Sequence, residues 1–407
     1  MLLLGCVCFA STVDPTGSSD EAEHLLSALP KNPFAPLPKD SQLRKNVDFW
    51  INIYTQYDTH QGLVHDAKYI DHIYEVVDLG DTSGRISSRM EKAAKHKWRD
   101  ILLSVHHKEK TPEKMNTDEK RVYDLFADVN EPNKFLAAAH RKRLRFQLGQ
   151  KDRFKEGLFH SGRYLPAMEE IFRSHDLPVE LTRLPFVESS FNVRARSKVG
   201  ASGIWQFMRS TGKLFLKVND TVDERNDPVL ATEAAAKLLS LNFNSLSNWP
   251  LAVTAYNHGR KGMMRAVRKV GSDELEDVVS GYRARTFGFA SSNFFTELLA
   301  SIEVERNVEK YFGKMERDKP RDFVEVPLPD PIRFRDLVQY LKLDPADFRD
   351  LNPGLSENVY EGRRMIPAGY RLRISRDGGI DKDAQVRVFL TGYEQIPALY
   401  KKKHVKR

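Results

Sequence analysis

The sequence predicts a mostly α-helical protein with a small α+β unit near its C-terminus. Three observations carry that expectation. Apolar residues recur at helical spacing between about Asn46 and Tyr311. Proline, or the pair Asp227-Pro228, stands where several of those segments begin. After Tyr311 the pattern changes to short alternating runs around two helical stretches. The chain has 407 residues, enough for two or three domains with a substantial core. Charged residues make up 29% and hydrophobic residues 41%, which places it among globular rather than disordered chains. No apolar run reaches the roughly 18 residues that a membrane-spanning helix needs.

Residues 1–44 read as a leader or tether, rich in Ser, Pro, Asp and Lys from residue 9 onward. Residues 45–160 read as a helical N-terminal region. Phe49, Trp50, Ile53, Tyr54 and Tyr57 recur at helical spacing, and helical segments are expected to about Arg173, with interruptions near Gly80–Gly84 and Pro132. The basic stretch His140–Arg145 reads as a solvated helix face. Residues 161–312 form the next unit. Pro178 is placed to begin a helix running through Leu181, Leu184 and Val187 to Glu188. Asp227-Pro228 begins another, with Leu230, Ala231, Ala234, Leu238 and Leu241 as its apolar positions, and Pro250 a third that stops at Gly259.

In residues 320–376, Val324-Glu325-Val326 and Tyr370–Ile374 alternate as half-buried strands do. Helical stretches Arg335–Leu341 and Pro345–Leu351 lie between them, giving strand–helix–helix–strand (βααβ) order. Residues 377–407 read as a polar, basic tail without a packed fold.

The net charge of +8 suits a polyanionic partner. Zinc-finger spacing, an aromatic RNA-binding signature and a Gly-rich phosphate loop are all missing from the sequence, so nucleic acid is not expected. Both cysteines, Cys6 and Cys8, stand at the N-terminus, so the body of the chain has no disulfide and no Cys-based metal site. No metal or organic cofactor is implied.

The most informative stretch runs from Leu184 to Met208. Glu188 follows an apolar helix face and sits among Phe186, Val187 and Phe191. Such surroundings disfavour the charged carboxylate and raise its pKa toward the range of a general acid at neutral pH. From Ser189 to Asn219 there is no Asp or Glu, whereas Arg194, Arg196, Lys198, Arg209, Lys213 and Lys217 all fall there. A second carboxylate beside Glu188 would have to come from elsewhere, such as Asp220, Asp223 or Asp227. Glu180 lies about two helical turns away.

Three short motifs follow in order: Glu188-Ser189, Gly203-Ile204-Trp205-Gln206 and Ala255-Tyr256-Asn257. Over about Tyr164–Val267 the chain resembles the catalytic core of the soluble lytic transglycosylase family, closest to its membrane-bound type D branch. The resemblance implies a lysozyme-like α domain with a sugar-binding cleft. It implies that Glu188 protonates the oxygen between N-acetylmuramic acid and N-acetylglucosamine, then deprotonates the muramic acid C6 hydroxyl. That hydroxyl attacks C1 and closes a 1,6-anhydro ring, whereas ordinary glycosidases use two carboxylates. By the same resemblance Ser189 and Gln206 bind the substrate or hold the Glu188 carboxyl. Tyr256 reaches that carboxyl or the leaving oxygen, Asn257 lines the cleft, and Met208 packs under a sugar ring. Trp205 reads as core, Gly200 and Gly203 as loop-shaping, and His258 as a helix-end residue. One departure is the sequence Ser291-Ser292-Asn293-Phe294-Phe295, where many relatives carry a tyrosine.

Two weaker resemblances complete the reading. Leu3-Leu4-Gly5-Cys6 resembles a bacterial lipobox, although no basic residue precedes it and the apolar stretch is short. It implies lipidation of Cys6 and attachment to the outer membrane, in the periplasm. Asp350-Leu351-Asn352-Pro353 and Ile366–Leu372 resemble parts of a LysM-type glycan-binding module. The expected partner is thus the glycan strands of peptidoglycan. Two rivals stand beside it: a goose-lysozyme-type hydrolase on the same fold, and a catalytically silent wall-binding scaffold.

Overall fold

The computed structural model describes residues 32–38, 41–82 and 84–376. Cys6, Cys8 and the tail from residue 377 lie outside them. The described fold is mostly helical, with two small antiparallel sheets. No helix among the described residues is long and apolar enough to cross a membrane.

Helix α1 (Gln42–Thr55) buries Val47, Phe49, Trp50, Ile51, Ile53 and Tyr54. Three strands follow where helices were expected: β1 (Gln61–Asp66), β2 (Ile73–Asp78) and, much later, β3 (Leu144–Leu148), in the order β2-β1-β3. The central strand hid itself from a period-two search because Leu63, Val64, His65 and Asp66 are all buried. A strand covered on both faces has no alternation to detect. Helix α2 (Gly84–Lys108) buries Ala94, Trp98, Leu102 and Val105. Together with α3 (Thr117–Leu125) and α4 (Lys134–Ala138) it closes a core around Val64, Tyr74, Phe126 and Phe135.

The basic stretch His140–Arg145 is not a solvated helix face. It is the turn into β3, and Arg143 and Arg145 have internal partners. Arg143 pairs with buried Asp66 at 2.7 Å and with Glu131 at 3.3 Å. The Arg145 guanidinium lies 4.1 Å from the centre of the Phe289 ring.

Helix α5 (Lys151–Ser174) runs unbroken through residue 160, where a domain boundary was expected, and buries Phe154, Leu158, Leu165, Met168 and Phe172. The single helix expected from Pro178 to Glu188 is two pieces, a 3₁₀ turn over Val179–Arg183 and α6 (Leu184–Ser189). Pro185 explains the break: it has no N–H to donate to Leu181, and its ring crowds that carbonyl. After the short α7 (Arg209–Gly212) come α8 (Pro228–Leu246), α9 (Trp249–His258), α10 (Arg260–Val270), α11 (Leu275–Gly281), α12 (Phe289–Arg306) and α13 (Val308–Phe312).

The Asp227 carboxylate accepts from the N–H groups of Val229 and Leu230, which starts α8 as expected. Its buried face is Ala231, Ala234, Ala235, Ala236 and Leu239, while Leu230 and Leu241 are exposed. The small alanines let α5 and α9 approach closely. Helix α9 ends at Gly259, whose φ of 89° suits glycine. Helix α12 is buried almost all round and lies against α1. Asn46 and Trp50 both donate to the Asn293 side-chain oxygen, at 3.0 and 3.3 Å, and Arg44 pairs with Glu303 at 2.8 Å.

The C-terminal unit comprises β4 (Phe323–Pro327), α14 (Phe334–Leu341), α15 (Pro345–Leu351), α16 (Glu357–Tyr360) and β5 (Arg371–Ser375). The strands pair antiparallel, Val324 opposite Ile374. Helix α16 is the one element the sequence reading left out. The unit shares its core with the helical body. Val222, from the segment before α8, packs with Leu337, Phe348, Leu355, Ile366 and Leu372. Ser356 N–H donates to Thr221 O at 2.9 Å, Asp223 N–H to Gly354 O at 2.7 Å, and Arg373 pairs with Asp227 at 2.7 Å.

Candidate active site

Glu188 is the penultimate residue of α6. The helix stops at Ser190 (φ 50°), and Phe191 (φ 56°) is left-handed too. Two consecutive non-glycine residues in that region make a tight, strained turn. The turn rests on Gly157 of α5, where an added Cβ would lie 2.8 Å from the Ser190 carbonyl oxygen. Phe186 stacks on Phe154 with ring centroids 4.8 Å apart and meets Phe191 edge-on at 4.6 Å. This aromatic seat removes water from beside the carboxyl, and desolvation pushes the Glu188 pKa from 4.5 up to about 8. The residue still keeps a partial opening to solvent, as a proton donor must.

Gly203–Gln206 is held at three successive carbonyls. Gln206 Nε2 donates to Gly203 O at 2.8 Å, Ser189 Oγ to Ile204 O at 2.8 Å, and the Tyr256 hydroxyl to Trp205 O at 2.8 Å. Gln206 Nε2 also reaches Ala195 O at 3.2 Å. Ser189, Gln206 and Tyr256 are thus brought together, but their donors are spent on loop backbone rather than on the Glu188 carboxyl. The backbone explains it: Gln206 is itself left-handed (φ 47°), so this loop needs side-chain donors for carbonyls that no ladder satisfies. Gly203, at φ 76°, approaches Arg225 so closely that a Cβ would sit 1.8 Å from its carbonyl oxygen. Trp205 is fully buried, as expected, and its indole N–H donates to Thr232 Oγ1 at 2.9 Å.

Met208 is 41% exposed and lines a groove of about 750 Å³ with Arg196, Ser197, Val199, Arg209 and Lys213. No carboxylate lines that groove; Arg225, also in its wall, is paired with Asp223 at 2.7 Å. Three cations of the acid-free run seen in the sequence, Arg196, Arg209 and Lys213, therefore share one basic wall. Asn257 is exposed at the end of α9, and its side-chain oxygen accepts from Ser291 Oγ of α12 at 2.8 Å. His258 sets its ring edge-on to Phe287 at 5.0 Å, and burial lowers its pKa.

The carboxylates considered in the sequence are engaged elsewhere. Glu180 pairs with Arg306, Asp223 with Arg225 and Asp227 with Arg373. The acid that the sequence reading missed is Glu297, on α12. Burial and then the nearby Glu188 charge push its pKa from 4.5 up to about 8. Tyr54 of α1 is raised by burial and then by the Glu297 charge, and Tyr256 by burial and then by Glu188. Burial thus raises the pKa of four acids carried on four helices: Tyr54, Glu297, Glu188 and Tyr256. Phe294, one turn before Glu297, lies parallel to the Tyr256 ring with centroids 6.3 Å apart. A signal for Glu297 does exist in the sequence: it is the sole charged residue between Phe287 and Ile302. Among the described residues no group of three or more His, Cys, Asp or Glu is placed to hold a metal ion.

Comparison with known proteins points the same way. Residues 168–279 match the Transglycosylase SLT domain. Membrane-bound lytic murein transglycosylase D of Escherichia coli strain K12 is 27% identical over 186 residues, 45% of this chain and 40% of that protein, and the same figures hold for its counterpart in strain CFT073. A putative tributyltin chloride resistance protein of Alteromonas sp. strain M-1 is 33% identical over 97 residues, 23% of this chain and 47% of that protein. The chain thus spans less than half the length of these curated relatives. The segment that carries Glu188, the Gly203–Gln206 loop and Tyr256 is similar to a transglycosylase domain.

Proposed function

We propose that this protein is a peptidoglycan lytic transglycosylase that cleaves the bond between N-acetylmuramic acid and N-acetylglucosamine, with Glu188 as the catalytic acid. The observation that carries the reading is a carboxyl held protonated to about pH 8 by an apolar seat, within a segment similar to a transglycosylase domain. At neutral pH Glu188 has a proton to give to the leaving oxygen. Once ionised, it can take the proton of the C6 hydroxyl as that oxygen attacks C1. The bond from C1 to the leaving sugar breaks, the 1,6-anhydro bond forms, and Glu188 ends protonated again. Ser189, Gln206 and Tyr256 serve this chemistry by holding the loop that forms one wall of the cleft. Met208 and Asn257 face the sugars, and Arg196, Arg209 and Lys213 meet the anionic groups of the wall polymer.

Peptidoglycan lies outside the cytoplasm, so the reading places the protein in the cell envelope. Lipidation at Cys6 is the proposed means of attachment, and the C-terminal unit is the proposed second glycan contact. A goose-lysozyme-type hydrolase on the same fold is the second reading, with Glu297 as the further buried carboxyl that a two-carboxyl mechanism would draw on. Digestion of purified sacculi separates the two. Muropeptides ending in 1,6-anhydro-muramic acid support the transglycosylase, and reducing ends refute it.

A further inference from the structure

A second cavity, of about 260 Å³, opens where the C-terminal unit meets the segment that follows Glu188. The helical body gives Arg194, Arg196 and Asn226 to its wall, and the C-terminal unit gives Arg349, Asp350, Glu357 and Tyr360. Arg194 and Arg196 lie just beyond the left-handed turn at Ser190 and Phe191 that ends α6. Arg196 also lines the Met208 groove, so groove and cavity meet at its side chain. Both acids of the cavity are already neutralised: Asp350 pairs with Arg163 at 2.6 Å, and Glu357 pairs with Arg349. Arg194 and Arg196 have no ion-pair or side-chain hydrogen-bond partner among the described residues. Asn226, only 8% exposed, spends its side-chain oxygen on Ser202 Oγ at 2.6 Å, and its Nδ2 has no partner among the described residues. A nearly buried amide N–H of this kind calls for an acceptor.

We propose that this cavity binds a carboxylate carried as a side group on the peptidoglycan strand, held by Arg194, Arg196 and the Asn226 amide. This rests on the reading of peptidoglycan as the substrate. The three uncommitted groups are all donors, so the ligand must present acceptors. Two of them are guanidinium forks, which match the planar pair of oxygens of a carboxylate. The volume lies below the roughly 300 Å³ at which pockets for whole small molecules begin, which suits one side group and not a length of glycan. A strand lying along the Met208 groove brings its side groups past Arg196 into the cavity. Its carboxylates come from the peptide stems, or from the lactyl group of muramic acid once a stem is removed. The C-terminal unit completes the site beside the catalytic turn. Its own cation there, Arg349, lies 4.5 Å from the Tyr360 ring centre and is balanced by Glu357.

The test is calorimetric binding of three soluble glycan oligomers to the full chain: one with peptide stems, one with the stems removed, and one with every carboxyl amidated. All proteins compared carry Glu188→Gln, so that the oligomers are not consumed. Arg194→Gln removes an unpartnered cation, and Glu357→Gln releases Arg349 and so adds one. Both side chains are exposed, so neither substitution disturbs a packed core. On an oligomer with carboxylates, Arg194→Gln weakens binding about fivefold and Glu357→Gln tightens it by a similar factor, the upper range for an exposed ion pair. Both effects shrink with added salt and vanish on the amidated oligomer. Effects confined to the stem-bearing oligomer assign the carboxylate to the stem, and effects on the stripped one assign it to the lactyl group. Affinities unmoved by either variant, shifts of the same sign in both, or shifts that persist on the amidated oligomer overturn the proposal. Failure of the substrate reading looks different: no oligomer binds to any of the proteins, and the proposal falls with it.

Discussion

Replacing Glu188 by glutamine should make the protein more stable at neutral pH while removing its activity. A carboxyl raised from 4.5 to about 8 in the fold contributes its full stabilising effect below pH 4.5. As pH rises from 4.5 to 8, the unfolded chain releases a proton that the folded protein retains, and stability falls across that window before levelling off. At pH 7 the burden is about 3 kcal/mol at 1.36 kcal/mol per pH unit. It is about 2 kcal/mol once the part of Glu188 that faces solvent is discounted. Glutamine has the same shape and no ionisable group, so it removes that burden. Urea unfolding of wild type and Glu188→Gln at pH 7 and pH 4 measures the difference. The expected result is a gain of about 2–3 kcal/mol at pH 7 that vanishes at pH 4. An equal gain at both pH values, or a loss at pH 7, would mean that Glu188 is ionised in the fold and cannot serve as the acid.

The same variant should lose about 10²–10⁴-fold or more in sacculus lysis, the range for removing a general acid–base group, while wall binding in a pull-down persists. Gly203→Ala should abolish lysis and lower the melting temperature. A Cβ there meets the Arg225 carbonyl at 1.8 Å with φ at 76°, and left-handed strain alone costs about 1–3 kcal/mol. Charge reversal at Arg196 and Lys213 should weaken binding to sacculi and flatten its salt dependence, with no change in the bond cleaved. Normal binding would show that the basic wall does not face the polymer.

Much of the segment around Glu188 was legible because its signals are local. The start of α8 could be read from Asp227-Pro228, the end of α9 from Gly259, and the two strands and first two helices of the C-terminal unit from their periodicity. What escaped the sequence was long-range. Strand β1 is buried on both faces and pairs with β3 some 80 residues later, so neither its alternation nor its partner is visible nearby. Glu297 escaped for a related reason. Its neighbour Glu188 is more than 100 positions upstream, and only the packing of α12 against α6 joins them. Ser189, Gln206 and Tyr256 meet at one loop in the fold. Their hydrogen bonds could not be assigned, because the three carbonyls they serve are exposed by a loop conformation that residue types alone do not specify.

The docking of the C-terminal unit changes how its role must be tested. If residues 320–376 were joined to the catalytic region only by a linker, deletion after Lys319 would separate wall binding from chemistry, since tethering raises avidity without touching the active site. The contacts are not those of a free tether. Asp227 caps α8 with one carboxylate oxygen and pairs through the other with Arg373, which is largely buried. Val222 sits inside the unit's own core. Deletion would strip cover from Val222 and remove the partner of Asp227, two places away from the Arg225 backbone against which Gly203 packs. A truncated enzyme should therefore lose activity on short oligomers and on sacculi alike, whatever the unit binds. The discriminating comparison is Asp227→Ala, which forfeits a helix cap worth about 1 kcal/mol and leaves Arg373 unpaired at about 3–5 kcal/mol, against Asp227→Ala with Arg373→Met. Urea unfolding of both variants should show the double variant recovering most of the second loss. No recovery would mean that the ion pair does not join the unit to the catalytic body, and deletion would again become a clean test of wall binding.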